Sequence, residues 1–187
     1  SAIALSASVA SARGHKSGKV KPTPMIETDI DVNAPGYQPT VLITGANRGV
    51  GLEYARQYAA KGWKVIATAR SPKRADDLTA LAAADPDVDV VKLDVTNAKQ
   101  LRKLVKRYQN QPIDVLLNNA AYFGPKEQQI FGDLDFDQMD WHFEVNMIGP
   151  MRIAEAFLPN VASSKQKKMV AITSGLGSYR IASFMGA

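Results

Sequence analysis

The residues Thr44-Gly45-Ala46-Asn47-Arg48-Gly49-Val50-Gly51 stand between a short apolar run, Val41-Leu42-Ile43, and the start of an amphipathic segment. A glycine turn in that place lets the backbone approach a pyrophosphate. A helix opening behind it offers unpaired N–H groups and a partial positive charge. The spacing is G-x-x-x-G-x-G, which differs from the G-x-G-x-x-G dinucleotide fingerprint. Glycines alone would equally serve a tight turn packing a helix on a sheet; the strand-turn-helix setting favours the nucleotide.

A second strand ends in Thr68-Ala69-Arg70, about 20 residues beyond the glycines, where an NAD-binding domain offers Asp or Glu to the ribose hydroxyls. No carboxylate stands there. Arg70, with Arg48 in the turn, suits the extra 2′-phosphate of NADP in shape and charge, the alternative being two arginines that face solvent. A third strand ends in Leu93-Asp94-Val95, placing a carboxylate beside the expected adenine, and a fourth in Asn118-Asn119-Ala120-Ala121. Ligands of open α/β sheets bind at the carboxyl ends of the strands, so Gly45, Arg70, Asp94 and Asn118 are expected to converge on one crevice. Asp94 alone would more commonly be a helix cap or turn residue. The candidate cofactor-binding set is Thr44, Gly45, Asn47, Arg48, Gly49, Val50, Gly51, Arg70, Asp94, Val95, Asn118, Ala120 and Ala121, and the cofactor NADP(H).

Positioning these residues requires alternating strands and helices. The pattern predicts strands over 41–43, 63–69, 88–93, 113–117 and 169–173, and helices over 50–61 and 71–84. A third helix runs to Gln109 with Thr96 as its N-cap. A long helix follows Asp135, with Met139, Phe143, Met147, Met151, Ala154 and Phe157 or Leu158 at 3.6-residue spacing. Repeated strand-helix-strand order implies right-handed crossovers and an α/β, Rossmann-type, doubly wound parallel sheet.

The 187 residues leave room for one core. No run approaches the ~20 apolar residues of a membrane-spanning helix. With no cysteine and two histidines, neither a disulfide framework nor a zinc site is expected. The net charge of +5 raises the question of nucleic acid. Its largest cluster, Lys99, Arg102, Lys103, Lys106 and Arg107, is interleaved with Leu101, Leu104, Val105 and Tyr108, as on the solvated face of an amphipathic helix. Neither a nucleic-acid nor a membrane partner is expected.

Residues 1–26 hold no acidic residue, and Ala10-Ser11-Ala12 precedes Arg13. They read as a targeting remnant or a flexible extension, and 27–39, with Pro35, Gly36 and Pro39, as a linker. Residues 40–187 are then the NADP-binding domain. The compartment is cytoplasmic, or an organelle or the exterior if 1–26 is a targeting segment.

Over residues 40–180 the chain resembles the short-chain dehydrogenase/reductase family. T-G-x-x-x-G-x-G falls on Thr44 to Gly51, the adenine-pocket Asp on Asp94, and N-N-A-G on Asn118 to Ala121, where Ala121 replaces the usual Gly. Thr44 to Gly49 and Thr173 to Ser178 are similar to the C-factor and sniffer-like carbonyl-reductase branch. The resemblance implies hydride transfer between nicotinamide and a small carbonyl or alcohol, and a homodimer or homotetramer. It implies that Ser174 hydrogen-bonds the substrate oxygen and that the main-chain carbonyl of Asn146 holds a water of a proton relay. Pro150 supplies a reason for the latter, because proline has no N–H for the carbonyl four residues before it and disturbs the helix there; the alternative is a bend that serves packing only.

The family pattern also implies a Tyr near positions 187–190 with a Lys four residues later. The sequence ends at Ala187, and Tyr179 lacks a Lys at Ser183. The domain is therefore expected to be C-terminally incomplete, inactive by itself and continued by further strand-helix units. The rival reading is a non-catalytic or regulatory NADP-binding protein, and a third an interaction domain using the long helix. Asp133, Asp135, Asp137 and Glu144 imitate a calcium loop, but Gln138 replaces its turn glycine; Asp137 reads instead as the N-cap of the long helix. Tyr122, Phe123, Phe131 and Phe136 are expected to line the preceding loop, either as a substrate wall or as ordinary packing.

Overall fold

The structure is a computed structural model that describes residues 36–125 and 132–174. The expectations for residues 1–35, for Phe131 and for Gly175 to Tyr179 lie outside the described residues. Thr40–Ile43 (β1), Lys64–Ala69 (β2), Val88–Lys92 (β3), Val115–Asn118 (β4) and Lys168–Ala171 (β5) form one sheet. All pairings are parallel, in the order β3-β2-β1-β4-β5. The helices are Gly49–Ala60 (α1), Asp76–Ala84 (α2), Ala98–Arg107 (α3), Phe136–Phe143 (α4) and Gly149–Ala162 (α5).

Side chains alternate across a strand, so β1 is fully buried yet serves two cores. Val41 and Ile43 face Leu52, Ala55, Ala59 and Leu78 of α1 and α2. Leu42 faces Leu101, Leu104, Ile153, Phe157 and Val161 of α3 and α5. Helices on both faces of a parallel sheet make the doubly wound α/β fold expected from the sequence. The chain winds outward through β2 and β3, then returns to set β4 on the other side of β1. The carboxyl ends of β1 and β4 therefore flank the switch point, where such sheets leave a crevice.

Most element ends shift by one or two residues, as from 113–117 to Val115–Asn118 and from 169–173 to Lys168–Ala171, and three helix starts differ further. The helix predicted over 71–84 is split into a 3₁₀ turn at Pro72–Arg74 and α2, because buried Ala75 takes a non-helical conformation at φ −112°, ψ 61°. The N-cap of α3 is Asn97, whose side chain accepts from the N–H groups of Lys99 and Gln100; Thr96 instead donates its hydroxyl to Asp94. The N-cap of α4 is Asp135, which accepts from Gln138 N, and Asp137 lies in the first turn behind it.

The long helix contains one wide turn, Glu144–Ile148, in which Glu144 O accepts from Gly149 N five residues on. Such a turn inserts a residue and slips the helical phase. Accordingly Val145, Gly149, Ile153 and Val161 point inward with Phe157 of the predicted stripe, while its Phe143, Met147 and Met151 are exposed.

At the amino edge of the sheet buried Asp114 ties three segments together. Its Oδ1 accepts from the Tyr37 hydroxyl (2.5 Å) and Gln166 N (3.1 Å), and its Oδ2 accepts from Thr40 N (2.9 Å). Burial and the adjacent carboxylate push the Tyr37 phenol up to about 12. Tyr37 to Pro39, which the sequence reads as the end of a linker, are thus held to the sheet, Pro39 O accepting from Lys64 N (2.9 Å).

Candidate active site

Parallel register brings the predicted residues to one edge. Ile43 is paired with Leu117 and Ala67, Ala69 with Lys92, and Asn118 with Ala171, so the chain leaves every strand on the same side. Gly45, Arg70, Asp94, Asn118 and Ser174 all stand at or just past those carboxyl ends.

The glycine turn is fastened on both sides. Thr44 N donates to Leu117 O (3.0 Å), and Ala46 N donates to Thr68 O (2.8 Å). The Thr44 hydroxyl oxygen accepts from the N–H groups of Asn119 and Ala120, both at 3.0 Å. Asn119 Nδ2 in turn donates to Thr44 O and Gly45 O, each at 3.0 Å. Two glycines are demanded by space. A Cβ on Gly45, whose φ is +67°, would stand 2.8 Å from Ala120 Cα. One on Gly51 would fall closer than 3.0 Å to both Asn119 Nδ2 and Gly45 O. The backbone is thereby drawn tight against β4, leaving the exposed residues Asn47, Arg48, Gly49 and Val50 as the outward rim.

The charges around this rim suit an anion. The first turn of α1 holds no acidic residue, so its N-terminal dipole is uncompensated. Arg48, the N-cap, makes no capping bond with its side chain. Arg48 and Arg70 are both exposed and have no ion-pair partner among the described residues.

Asp94 Oδ1 accepts from Thr96 N (3.0 Å) and Thr96 Oγ1 (2.8 Å), and Asp94 N donates to Gln100 Oε1 (2.8 Å). The turn role weighed from sequence is therefore present, and it fixes the carboxylate at the crevice edge. Val95 is buried against Gly149, where a Cβ would meet Val95 Cγ2 at 3.0 Å. This contact seats the long helix beside the crevice. Thr68 Oγ1 and Asn118 Oδ1, at the carboxyl ends of β2 and β4, are buried without a hydrogen-bond partner among the described residues. Orphaned polar atoms and a cradle kept open by glycine are features that a dinucleotide would complete.

The wall after β4 is anchored by Asn146. Tyr122 N donates to Asn146 Oδ1 and Asn146 Nδ2 donates to Tyr122 O, both at 2.8 Å. The Tyr122 hydroxyl donates to Gln138 Oε1 (2.7 Å), and its ring packs on His142, with centroids 4.9 Å apart. His142 Nδ1 is 2.7 Å from Gln138 O, and Gly124, at φ +60°, leaves no room for a Cβ beside the His142 ring. Ala121 is exposed just before this anchored segment, and exposed Ser174 lies past β5.

Sequence reasoning missed Asn119 as the clamp of the glycine turn, Gly149 as a contact point, and the side-chain role of Asn146. Each acts across a gap in sequence, 75 residues for Asn119 and Thr44, that periodicity does not reach. The adjacent Asn pair at a strand end was the available signal for Asn119.

A doubly wound sheet with a glycine turn at its switch point defines the Rossmann type of α/β domain. Residues 39–186 match the model of the short chain dehydrogenase family, and the chain belongs to that family. It is 38% identical over 117 residues to galactitol 2-dehydrogenase of Agrobacterium fabrum, covering 62% of this chain and 44% of the relative. The structure is similar to a carbonyl reductase from Pseudomonas aeruginosa PAO1, with a TM-score of 0.71 at 29% identity over 78% of this chain and 63% of that one. It is also similar to an NADPH-bound carbonyl reductase from chicken fatty liver, with a TM-score of 0.68 at 28% identity over 79% and 62%. The chain spans about half the length of the curated relatives it matches. Among the described residues no helix is long and apolar enough to cross a membrane, and no cluster of side chains could hold a metal ion.

Proposed function

We propose that this chain is the nucleotide-binding part of an NADP(H)-dependent oxidoreductase acting on a carbonyl or alcohol substrate. The observation that carries the reading is the rim of the crevice. A glycine turn clamped between β2 and β4 carries Arg48, and Arg70 follows β2 where a ribose-binding carboxylate would otherwise stand, two cations without ion-pair partners among the described residues. The NADP-complexed and NADPH-bound structures among the similar proteins support a nicotinamide cofactor.

Bound there, the cofactor would supply or accept a hydride at its nicotinamide ring. The chain's own residues would do the rest. Backbone N–H groups at the start of α1 would face the pyrophosphate, Arg48 and Arg70 the 2′-phosphate, and Asp94 with Val95 the adenine side. Asn118, Ala120 and Ala121 would border the cofactor along β4. Ser174 would donate its hydroxyl to the substrate oxygen. Asn146 would hold the Tyr122 segment with its side chain and offer its carbonyl to water, since Pro150 brings no N–H to it. Exposed Phe143, Met147, Met151 and Leu158 support self-association of the long helix into a dimer or tetramer.

Titration of the protein with NADPH, followed by nicotinamide fluorescence, tests this reading. Saturable enhancement or quenching is expected, and an unchanged signal would leave only an interaction domain.

A further inference from the structure

The turn after β2 reads Arg70-Ser71-Pro72-Lys73-Arg74. It folds back on itself, Arg74 N donating to Ser71 O at 3.0 Å. Ser71 is exposed, at φ −134° and ψ 80°, and its side chain makes no capping bond. No hydrogen bond of its hydroxyl to any described residue competes for it. Lys73 and Arg74 are exposed and, like Arg70, have no ion-pair partner among the described residues. A free hydroxyl on an accessible turn, followed by proline and then by two cations, has the features that a proline-directed protein kinase reads.

Resting on the cofactor reading above, we propose that Ser71 is a phosphorylation site whose phosphate closes the crevice to NADP. The γ-phosphoryl group of ATP passes to Ser71 Oγ; the new O–P bond forms as the bridge to the β-phosphate breaks, ADP leaves, and the hydroxyl proton is released. The modification adds nearly two negative charges and three strong acceptors beside Arg70, Lys73 and Arg74. Arg70 is the chain neighbour of Ser71, and the Arg74 N to Ser71 O bond folds Arg74 back to it, so both exposed cations lie close to position 71. The Ala46 N to Thr68 O bond holds the glycine turn against the same strand end, which puts the new charge on the rim carrying Arg48. Phosphoserine would thus take the cations that the 2′-phosphate needs and repel the cofactor's own phosphates. NADH, lacking the 2′-phosphate, depends on that rim far less.

The test treats the protein with ATP and a proline-directed kinase, locates phosphate by peptide mass, and titrates treated and untreated protein with NADPH and NADH. Phosphate on Ser71, with NADPH affinity lowered roughly ten- to a hundredfold and NADH affinity changed much less, is expected. Ser71→Ala protein put through the same treatment should keep its NADPH affinity. Absence of phosphate at Ser71, or phosphate there with NADPH affinity unchanged, overturns the proposal. Failure of the cofactor reading shows separately, as equal NADPH and NADH affinities in untreated protein, and the peptide mass then still decides whether Ser71 is modified.

Discussion

Gly51 and Asn119 meet where α1 passes the end of β4, and a Cβ at position 51 would fall closer than 3.0 Å to Asn119 Nδ2 and to Gly45 O alike. Because one of the two obstacles is backbone, shortening Asn119 does not make room. Gly51→Ala is expected to cost about 1–3 kcal/mol and to abolish NADPH binding, and Asn119→Ala in the same chain should not rescue it. Gly62→Ala is the control. Its φ of +73° strains a side chain by about 1–2 kcal/mol, but open space surrounds it and the crevice lies elsewhere, so NADPH should still bind. Urea unfolding and fluorescence titration of the variants read both effects.

Thr44 is the acceptor for two backbone N–H groups of the β4 end. Thr44→Val keeps the shape and strands both donors, so a loss of roughly 1–3 kcal/mol is expected, against a near-neutral Thr44→Ser. Equilibrium unfolding of the two variants gives the comparison, and equal losses would mean that the methyl group, not the hydroxyl, matters here.

Asn146→Ala removes both hydrogen bonds to Tyr122. The side chain is exposed, so the global cost should stay near about 1 kcal/mol while the segment after β4 opens locally. Hydrogen exchange at the Tyr122 amide should accelerate in the variant and leave the amides of β1 unchanged. Unaltered protection at Tyr122 would show that other contacts hold the segment.

The fold was legible in the sequence because its cause is local. Strands such as Val41-Leu42-Ile43 and the amphipathic pattern of 98–107 announce themselves by period, and a glycine turn between them is informative by position. The site was legible only as a set of strand ends. What joins those ends, Asn119 on Thr44 and Gly45, Gly149 on Val95, and Asn146 on Tyr122, depends on which strands are neighbours, and no window of sequence contains both partners. The phase of the long helix was misjudged for a related reason. The expectation that Pro150 disturbs the helix near Asn146 fits the wide turn at 144–148, but that turn takes Phe143, Met147 and Met151 off the inward face and brings in Val145, Ile153 and Val161, while Phe157 and half-buried Ala154 of the predicted stripe stay against the core.

Tyr37 and Tyr108 each donate to a carboxylate, Asp114 and Asp89 respectively. Burial first, and then the carboxylate, raises both phenols above the ordinary 10.0, Tyr37 to about 12. A raised folded value means that the unfolded chain loses its proton first as pH climbs. The contribution to stability is therefore full below pH 10.0 and declines as pH approaches about 12. Tyrosinate absorbance should show at least two phenols ionising late. Tyr37→Phe should flatten part of the alkaline fall in melting temperature.

The most direct test of the cofactor assignment is the ratio of NADPH to NADH affinity, measured by fluorescence titration in the wild-type chain and in Arg48→Ala and Arg70→Ala variants. The wild type is expected to prefer NADPH. Each substitution should weaken NADPH by roughly ten- to a hundredfold, the worth of a charge-assisted phosphate contact, while NADH changes little. Equal affinity for the two nucleotides in the wild type, or a preference that survives loss of both arginines, would contradict the assignment.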